Sequence, residues 1–477
     1  MKNAIPFNII KLVSELEKRQ YHAFIVGGAV RDLLMAKQPT DYDVATSACP
    51  EAIIEMAVQN DWRIIDKLGH NFGVVIILLD GQPVEVASFR GERYGEDSHK
   101  PEKVWFTDNI AEDLARRDFT INAMAMDLSG NIIDNFGGQA DLEAMLVRAV
   151  GDPCKRFQED ALRMFRACRF AGQLGFNIEE QTLSAIPDNL SRVNGLSIER
   201  VKNELEKMLT AEQCHFSLEA FVESGLAACS CRMKEHGEYR SVPILPELAH
   251  LVKLPQNTEY HLFDAWQHTL ETVRNSPADL VLRWAALLHD VGKGLPGIRG
   301  EKNGQPTDHG HDCEGARLAE DILTRFQYSP KFRKRVAWLI GKHMRFYVYL
   351  NGNSQNTLRW IRDEARSGRF SCSKDLMEAF MQLTELCKAD IYAAVKNPEA
   401  VADAAAFGKY LTELIQNMPV HTSDLAYSAG SLTVALGDKK LIGPFLKKAL
   451  LRVQDGNLAN VEKALLDAAA KWVQRHK

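Results

Sequence analysis

Two carboxylates separated by one residue, Asp41 and Asp43, are the first pair whose spacing suggests chemistry. On a β-strand, residues i and i+2 project to the same face, so we expect both carboxylates to converge on one point. Adjacent carboxylates repel unless a divalent cation lies between them, and Mg²⁺ prefers such oxygen ligands together with substrate phosphates. Glu85, on the polar face of the valine-rich segment 83–89, is a candidate third ligand of a two-metal site. For each acidic residue alone, a solvated position is the alternative interpretation.

A phosphate-binding turn is predicted at Gly27 and Gly28, between a short strand at 22–26 and a helix that carries Arg31 and Asp32. Glycines let backbone N–H groups and a helix N-terminus approach a phosphate closely, and Arg31 adds a forked cation. A plain turn without a ligand is the alternative.

A pair of adjacent arginines, 116 and 117, precedes an apolar turn. Two guanidinium groups suit a polyphosphate clamp, in which Arg117 holds phosphate while Asp118 and Asn122 fix the geometry or contact the sugar. The alternative is a surface cluster of ion pairs.

Asp160 and Arg163 lie on a predicted helix, where residues at i and i+3 are neighbours. Cytosine and adenine both present an exocyclic amine donor beside a ring-nitrogen acceptor, whereas guanine and uracil present the opposite pair. An Asp that accepts from the amine and an Arg that donates to the ring nitrogen would therefore select C and A together, a role that only the family resemblance given below assigns to this pair. Arg166, further along this helix, is included in the predicted nucleotide site. The alternative is an ordinary surface ion pair.

A histidine-rich region follows, because six of the fourteen histidines lie between residues 261 and 343. Neutral imidazoles combined with carboxylates can ligate a transition metal. The candidate residues are His268, His289, Asp290, His311, His343 and Asp390. A helical spacer that binds no metal is the alternative.

The elements that must position these residues differ along the 477-residue chain. Strand-like segments at 62–65, 73–79 and 83–89 belong to the first 150 residues, and from about residue 152 amphipathic helices follow one another. The predicted fold class is α+β, with a small mixed β-sheet head followed by all-α parts. The predicted domains are 1–150 (head), 151–242 (helical neck, base recognition), 243–400 (histidine-rich) and 401–477 (tail).

Composition adds few restrictions. Fifty-eight Lys and Arg against sixty-three Asp and Glu give a net charge of −5, and nine cysteines occur without a C-x-x-C pair. Scattered cysteines, no signal-peptide layout and no membrane-spanning apolar run lead us to expect a cytoplasmic protein with reduced thiols. Basic stretches at 325–345 and 439–452 suit the phosphate backbone of a folded RNA, or are solvated helix faces.

Several segments together carry a family resemblance. They are GGAVRD at 27–32, DYD at 41–43, VEVASFR at 84–90, RRDFTINAMA at 116–125 and DPCKRFQEDALRMFRACRFAGQLGF at 152–176. As an ordered set they resemble the class II tRNA nucleotidyltransferases and the related bacterial poly(A) polymerases. The resemblance implies template-independent addition of CCA to the 3′ end of tRNA from CTP and ATP, with Mg²⁺ held by the acidic residues of the head. Residues 90–105 resemble the flexible loop of relatives that add the terminal A, with Asp97–Lys100 retaining a basic pair.

The histidine-rich region resembles the His-Asp (HD) phosphohydrolase superfamily. The resemblance implies His268, His289, Asp290 and Asp390 as core ligands of a divalent transition metal such as Ni²⁺, Mn²⁺ or Co²⁺, and His311 and His343 as ligands of a second metal. Lys293 would stabilise negative charge on a phosphate ester. Two alternatives stay open: an A-adding enzyme that works with a separate CC-adding enzyme, and a protein that is primarily an HD-type phosphohydrolase.

Overall fold

The computed structural model of the chain describes residues 5–66, 73–95, 101–350 and 354–474. The chain divides into two compact units, Met1–Ala249 and His250–Lys477. This division falls inside the proline-containing segment 243–255, where the sequence predicts a boundary. The predicted fold class, a small mixed sheet followed by helices, is confirmed.

A seven-stranded mixed sheet forms the centre of the first unit. The strands of this unit are β1 (Ala23–Val26), β2 (Asp43–Thr46), β3 (Arg63–Asp66), β4 (Val74–Leu79), β5 (Gln82–Ser88), β6 (Arg90–Tyr94), β7 (Pro101–Phe106), β8 (Ala125–Met126), β9 (Ile132–Ile133), β10 (Leu146–Val147), β11 (Asn177–Ile178), β12 (Ser230–Glu235) and β13 (Glu238–Pro243). The sheet has the order β3-β4-β5-β2-β1-β8-β9, and its pairs are antiparallel except for β2 with β5. β4 and β5 form a hairpin, and both residues of its turn, Asp80 and Gly81, have the positive φ angles of a two-residue turn.

Helices cover this sheet. They are α1 (Phe7–Lys18), α2 (Gly28–Leu34), α3 (Pro50–Gln59), α4 (Ile110–Ala115) and α5 (Gly138–Glu143). The spacing of Leu12, Val13 and Leu16 buries one face of α1, and these side chains share one apolar cluster with Ile77 of β4 and Val86 of β5. This packing leaves the opposite face of β5, which carries Glu85, free of the core.

The rest of the first unit is mainly helical. Its helices are α6 (Pro153–Glu159), α7 (Leu162–Leu174), α8 (Glu180–Asn189), α9 (Ile198–Leu209) and α10 (Cys214–Glu223). α7 packs against α9 and α10, where Phe165 and Phe221 bring their ring centroids to 6.0 Å. Short strand pairs also occur after residue 152, in the part of the chain that was predicted to be all-α. The β12–β13 hairpin lacks the runs of Val and Ile by which the head strands are recognised.

The second unit is a set of packed helices with one short hairpin. Its elements are α11 (Ala265–Asn275), α12 (Leu280–Leu288), β14 (Arg299–Lys302), β15 (Gln305–Asp308), α13 (His311–Arg325), α14 (Pro330–Leu350), α15 (Ser354–Arg366), α16 (Ser373–Val395), α17 (Pro398–Gln416), α18 (Ala429–Leu436), α19 (Ile442–Gln454) and α20 (Glu462–Gln474). Trp266, Trp284 and Phe380 are fully buried among the helices that precede α17. Helices α18 to α20 enclose an apolar cluster of their own.

Candidate functional site

The three predicted head carboxylates line one cavity of about 590 Å³ in the first unit. β2 begins at Asp43, and its parallel pairing with β5 places Glu85 directly opposite. The prediction that Asp41 is a strand residue is wrong. Val26, which pairs with Asp43, is the last residue of strand β1, because the chain then turns into α2. No residue of β1 is therefore left to pair with Asp41. Asp41 nevertheless lines the same cavity.

The surroundings of Asp43 disfavour the ionised form of its carboxyl group. Burial raises its pKa to about 6, and the negative charges of Glu85 and Asp41 act in the same direction, whereas Arg117 opposes them. Oxygen donors that repel one another in this way fit a hard divalent cation. The three carboxylates are not among the groups of described residues whose donor atoms all lie within 4.8 Å of one another.

The glycine turn brings backbone close to a guanidinium group. Gly27 has a φ of 71°, which strongly favours glycine, and a Cβ atom at this position would lie 2.9 Å from Nη1 of Arg117. Gly28 is the first residue of α2, and a Cβ there would lie 3.5 Å from Nη2 of Arg31. Because neither glycine has a side chain, space stays open beside the guanidinium groups of Arg117 and Arg31.

A buried hydrogen-bond chain fixes the positive side of the cavity. Arg31 Nη1 donates to Asn122 Oδ1 at 2.9 Å, and Asn122 Nδ2 donates to Asp118 Oδ1 at 3.3 Å. Asp118 also accepts from Arg166 Nε at 2.6 Å. Burial alone would raise the pKa of Asp118, but Arg166 and Arg163 outweigh this effect and hold it at about 2. Asp118 thus stays ionised and orients the surrounding cations.

The adjacent arginines 116 and 117 share Asp113 as an ionic partner. Arg116 forms ion pairs with Asp113 at 2.6 Å and with Glu92 at 3.3 Å, as the ion-pair alternative describes, and it also lines the cavity. Arg117 contacts Asp113 at 3.3 Å and also lines the cavity. Glu92 belongs to the β6–β7 hairpin, which forms the base of the predicted flexible loop, and the predicted basic segment Asp97–Lys100 lies outside the described residues.

The predicted base-reading pair lies at a break between two helices. α6 ends at Glu159, Asp160 has an extended backbone, and α7 begins at Leu162, so the prediction of one continuous helix through Asp160 is wrong. The cause is local: Asp160 Oδ1 accepts from the backbone N–H of Leu162 and starts the new helix.

Asp160 and Arg163 are not each other's ionic partners. Arg163 Nη1 donates to Glu159 Oε2 at 2.6 Å, and Arg163 Nη2 donates to the carbonyl of Arg116 at 2.8 Å. Asp160 Oδ2 accepts from Arg200 Nη2 at 2.8 Å. Both predicted base readers therefore line the cavity without neutralising each other.

All residues predicted for the nucleotidyl site line this cavity except Asp32, which pairs with Arg31 at 2.7 Å. Sequence reasoning missed Arg90, Phe170 and Arg200, which also line it. The Phe170 ring lies beneath guanidinium groups, with the Cζ of Arg31 5.5 Å from its centroid. An aromatic residue in an arginine-rich helix is a signal that could have indicated this contact.

The histidine cluster of the second unit comes together as the sequence predicts. Two groups of donor atoms that all lie within 4.8 Å of one another are His268, His289 and Asp390, and Asp290, His311 and His343. The Nε2 atoms of His268 and His289 are 3.2 Å apart, and so are those of His311 and His343. All six residues are buried. Nitrogen and oxygen donors at this spacing fit a transition metal.

The ring nitrogens that face away from the cluster are held by backbone carbonyls. The Nδ1 atoms of His289, His311 and His343 lie 2.8, 2.6 and 2.6 Å from the carbonyl oxygens three residues earlier. An Nδ1–H that donates to a carbonyl leaves the Nε2 lone pair for a metal. Among the described atoms His268 Nδ1 has no hydrogen-bond partner. Backbone carbonyl groups therefore orient three of the four imidazoles.

A second cavity, of about 530 Å³, opens onto this cluster. Lys293 lies at its wall, where its ammonium is 2.7 Å from Asp290 and 2.7 Å from Gln256. His261 and His309 also line the cavity, and burial, together with Lys293 and His268, lowers the pKa of His261 to about 3. Its other walls include Met344, Ile391, Ala394 and Val395.

Some cations of the predicted RNA-binding stretches form ion pairs within the second unit. Arg335 pairs with Asp375, and Lys342 pairs with Glu364 at 2.7 Å. Lys447 and Lys448 of α19 are exposed. Across the described ranges, no helix combines the length and apolarity that a membrane span requires.

Comparisons with known proteins agree with these observations. Residues 23–148 match the family described as "Poly A polymerase head domain", 175–229 match "Probable RNA and SrmB- binding site of polymerase A", and 258–366 match "HD domain". The chain is 37% identical over 286 residues to the CCA-adding enzyme of Lactobacillus johnsonii, which covers 57% of this chain and 70% of that one. It is 38% identical over 288 residues to the enzyme of Bacillus pumilus (60% and 64% covered), and 44% identical over 216 residues to that of Lactobacillus helveticus (45% and 53%).

Solved structures support the same fold. The CCA-adding enzyme of Bacillus stearothermophilus in complex with CTP superposes with a TM-score of 0.66 at 24% identity, covering 98% of each chain. The enzyme of Thermotoga maritima complexed with tRNA gives a TM-score of 0.54 at 17% identity, covering 98% of this chain and 97% of that one. The identity to a CCA-adding enzyme over 70% of that protein and the matches to the head and HD domain models lead to one conclusion: this chain belongs to the CCA-adding enzyme family and carries an HD domain.

Proposed function

We propose that the chain adds CCA to the 3′ end of tRNA, using CTP and ATP and no nucleic-acid template. The observation that carries this proposal is one cavity lined by acidic residues, a glycine turn, phosphate-binding cations and a candidate base-reading pair. The relatives named CCA-adding enzyme support it. A cytoplasmic location, where tRNA and both nucleotides occur, is part of the proposal.

Asp41, Asp43 and Glu85 are the proposed metal-binding residues of the reaction. Two Mg²⁺ ions bound there would lower the pKa of the tRNA 3′-hydroxyl and offset the charge of the departing pyrophosphate. The chain itself contributes the geometry, because parallel pairing of β2 and β5 fixes Asp43 beside Glu85.

The triphosphate is proposed to lie against Gly27, Gly28, Arg31 and Arg117. The glycine turn lets the phosphates approach the backbone, and Arg31 is held in place by Asn122 at 2.9 Å. Asp118 and Arg166 support this arrangement through their ion pair at 2.5 Å. Arginine offers bidentate hydrogen bonds to phosphate oxygens, which favours it over lysine here.

Asp160 and Arg163 are the proposed base readers. The carboxylate accepts from the exocyclic amine, and the guanidinium donates to the neighbouring ring nitrogen of cytosine or adenine. Guanine and uracil would present a carbonyl to Asp160 and an N–H to Arg163, which leaves both protein groups without partners.

The domain limits 1–150, 151–242, 243–400 and 401–477 stay part of this proposal, with the first two contributing to one cavity.

The test uses defined tRNA ends and labelled nucleotides. Purified protein with Mg²⁺ should extend a tRNA that lacks its whole CCA end with CTP, and one that ends in C-C with ATP. Extension of the second substrate alone would instead identify an A-adding enzyme. Asp43→Asn should abolish addition, whereas Asp108→Asn, at an exposed position outside the cavity, should leave it unchanged. No addition to either tRNA by the unaltered protein would refute the proposal.

A second activity is favoured by the six buried ligands of the histidine cluster. We propose that the HD domain hydrolyses phosphate esters when it holds a divalent transition metal such as Ni²⁺, Mn²⁺ or Co²⁺, which would polarise the ester. The ammonium of Lys293 faces the same cavity and would stabilise negative charge. His289→Ala should remove this hydrolysis and leave nucleotide addition intact.

A further inference from the structure

Arg200 occupies a position that its own helix does not favour. It is the third residue of α9, after the N-cap Ser197, whose Oγ accepts from the backbone N–H of Arg200. A helix N-terminus carries partial positive charge, so an arginine there is unfavourable unless an acidic partner offsets it. The partner is Asp160, forty residues earlier in the chain, at 2.8 Å.

The Asp160 carboxylate is held at both oxygens. Oδ1 accepts from the backbone N–H of Leu162 at 3.0 Å, and Oδ2 accepts from Arg200. An ionised carboxylate has about four lone-pair sites, so acceptor capacity remains for a ligand. Arg200 and Asp160 both line the nucleotide cavity, with 37% and 20% of their side chains exposed. The contact therefore orients Asp160 without closing it off from solvent.

The same arrangement separates Asp160 from Arg163. Residues at i and i+3 commonly form an ion pair, and such a pair would use the groups that a base must contact. Glu159 engages Arg163 at 2.6 Å, and Arg200 engages Asp160 on its other side. Asp160 and Arg163 are thus each paired with a different residue of opposite charge, and not with each other.

We propose that Arg200 is a positioning residue for nucleotide selection, because it holds Asp160 in the orientation that accepts from an exocyclic amine and prevents it from closing on Arg163. This inference rests on the proposed nucleotide addition. The acidic partner of Arg200 is Asp160 and not one of the proposed metal-binding carboxylates, so the loss of Arg200 should affect the choice of base more than the rate of transfer.

The experiment compares selectivity rather than activity alone. For Arg200→Ala, the ratios of kcat/KM for CTP over UTP and for ATP over GTP should fall by about tenfold or more, the loss expected for one charge-assisted hydrogen bond. Arg200→Lys keeps a cation and should recover part of this selectivity. Lys207→Ala removes the same charge from an exposed position of the same helix, outside the cavity, and should leave both ratios unchanged.

The outcomes separate this inference from the proposed function. Equal loss of kcat/KM for all four nucleotides, with unchanged ratios, would overturn the positioning role and leave nucleotide addition standing. Absence of addition by the unaltered protein would refute the proposed function and the inference with it. If Arg200→Ala fails to fold, Arg200→Gln replaces it as a neutral variant that retains hydrogen-bond donors, and the same two ratios decide.

Discussion

The raised pKa of Asp43 predicts how binding of Mg²⁺ depends on pH. The group has a pKa of about 6 in the folded protein, first because it is buried and then because Glu85 and Asp41 are nearby. The cation binds the ionised carboxylate, so a proton competes with it below the pKa. At pH 5 about one molecule in ten carries an ionised Asp43, and the affinity for Mg²⁺ should be about tenfold lower than at pH 7.5, or about 1.4 kcal/mol. An aspartate with an ordinary pKa would give almost no change over this range.

Isothermal titration calorimetry with Mg²⁺ between pH 5 and 7.5 measures this dependence. The His289→Ala background removes a candidate ligand of the histidine cluster and should so reduce the contribution of that cluster to the heat. Glu85→Gln eliminates one of the two negative neighbours, so the affinity should be lower overall while its decrease begins at a lower pH. Asp108→Asn is the matched control and should reproduce the parent curve. A constant affinity from pH 5 to 7.5 would refute the electrostatic argument.

Three further predictions concern other parts of the chain. Gly27→Ala should raise KM for ATP strongly, because its φ of 71° disfavours a side chain and the new Cβ would lie 2.9 Å from Arg117 Nη1; an unchanged KM would contradict this. Asp118→Asn should lower the free energy of unfolding by about 2 kcal/mol at pH 7 in urea titrations, since the pKa of Asp118 is held at about 2 beside Arg166. This stabilisation is complete above pH 4 and lost as the pH falls through about 2, so the variant and the parent should converge in acid. His289→Ala should decrease the transition-metal content after loading, measured by elemental analysis, whereas retention of the full content would exclude His289 as a ligand.

The sequence predicted the position of a residue correctly where a single strand or helix determines that position. The alternation of Val84, Glu85 and Val86 predicts that Glu85 lies on the polar face of β5, and the structure shows both valines buried and Glu85 exposed. The pairing of β5 with β2 then places Glu85 opposite Asp43. The six residues of the histidine cluster also lie together as expected, because such residue types are rare in buried helices unless they have partners, and their role as metal ligands stays a prediction. Their mutual distances, however, depend on the packing of α11 to α16.

The errors concern residues whose position is set by a distant partner. Asp41 lies outside β2 because β1 ends where Gly27 begins its turn, which no local pattern at 41–43 records. Asp160 lies at a helix break, and its partner Arg200 is separated from it by forty residues. The i,i+3 spacing offered an ion pair with Arg163 only as the alternative, and the sequence did not indicate Arg200, since only tertiary packing brings α9 to the end of α6.

The parallel pairing of β2 with β5 also restricts where the chain tolerates changes in length. Neighbouring positions of a strand face opposite sides, so moving β5 by one residue would turn Glu85 into the apolar core and bring a valine into the cavity. The turn at Asp80 and Gly81 sets the register of β5 against β4 with two residues. A single insertion in this turn is therefore expected to inactivate nucleotide transfer, although the turn itself contributes no ligand.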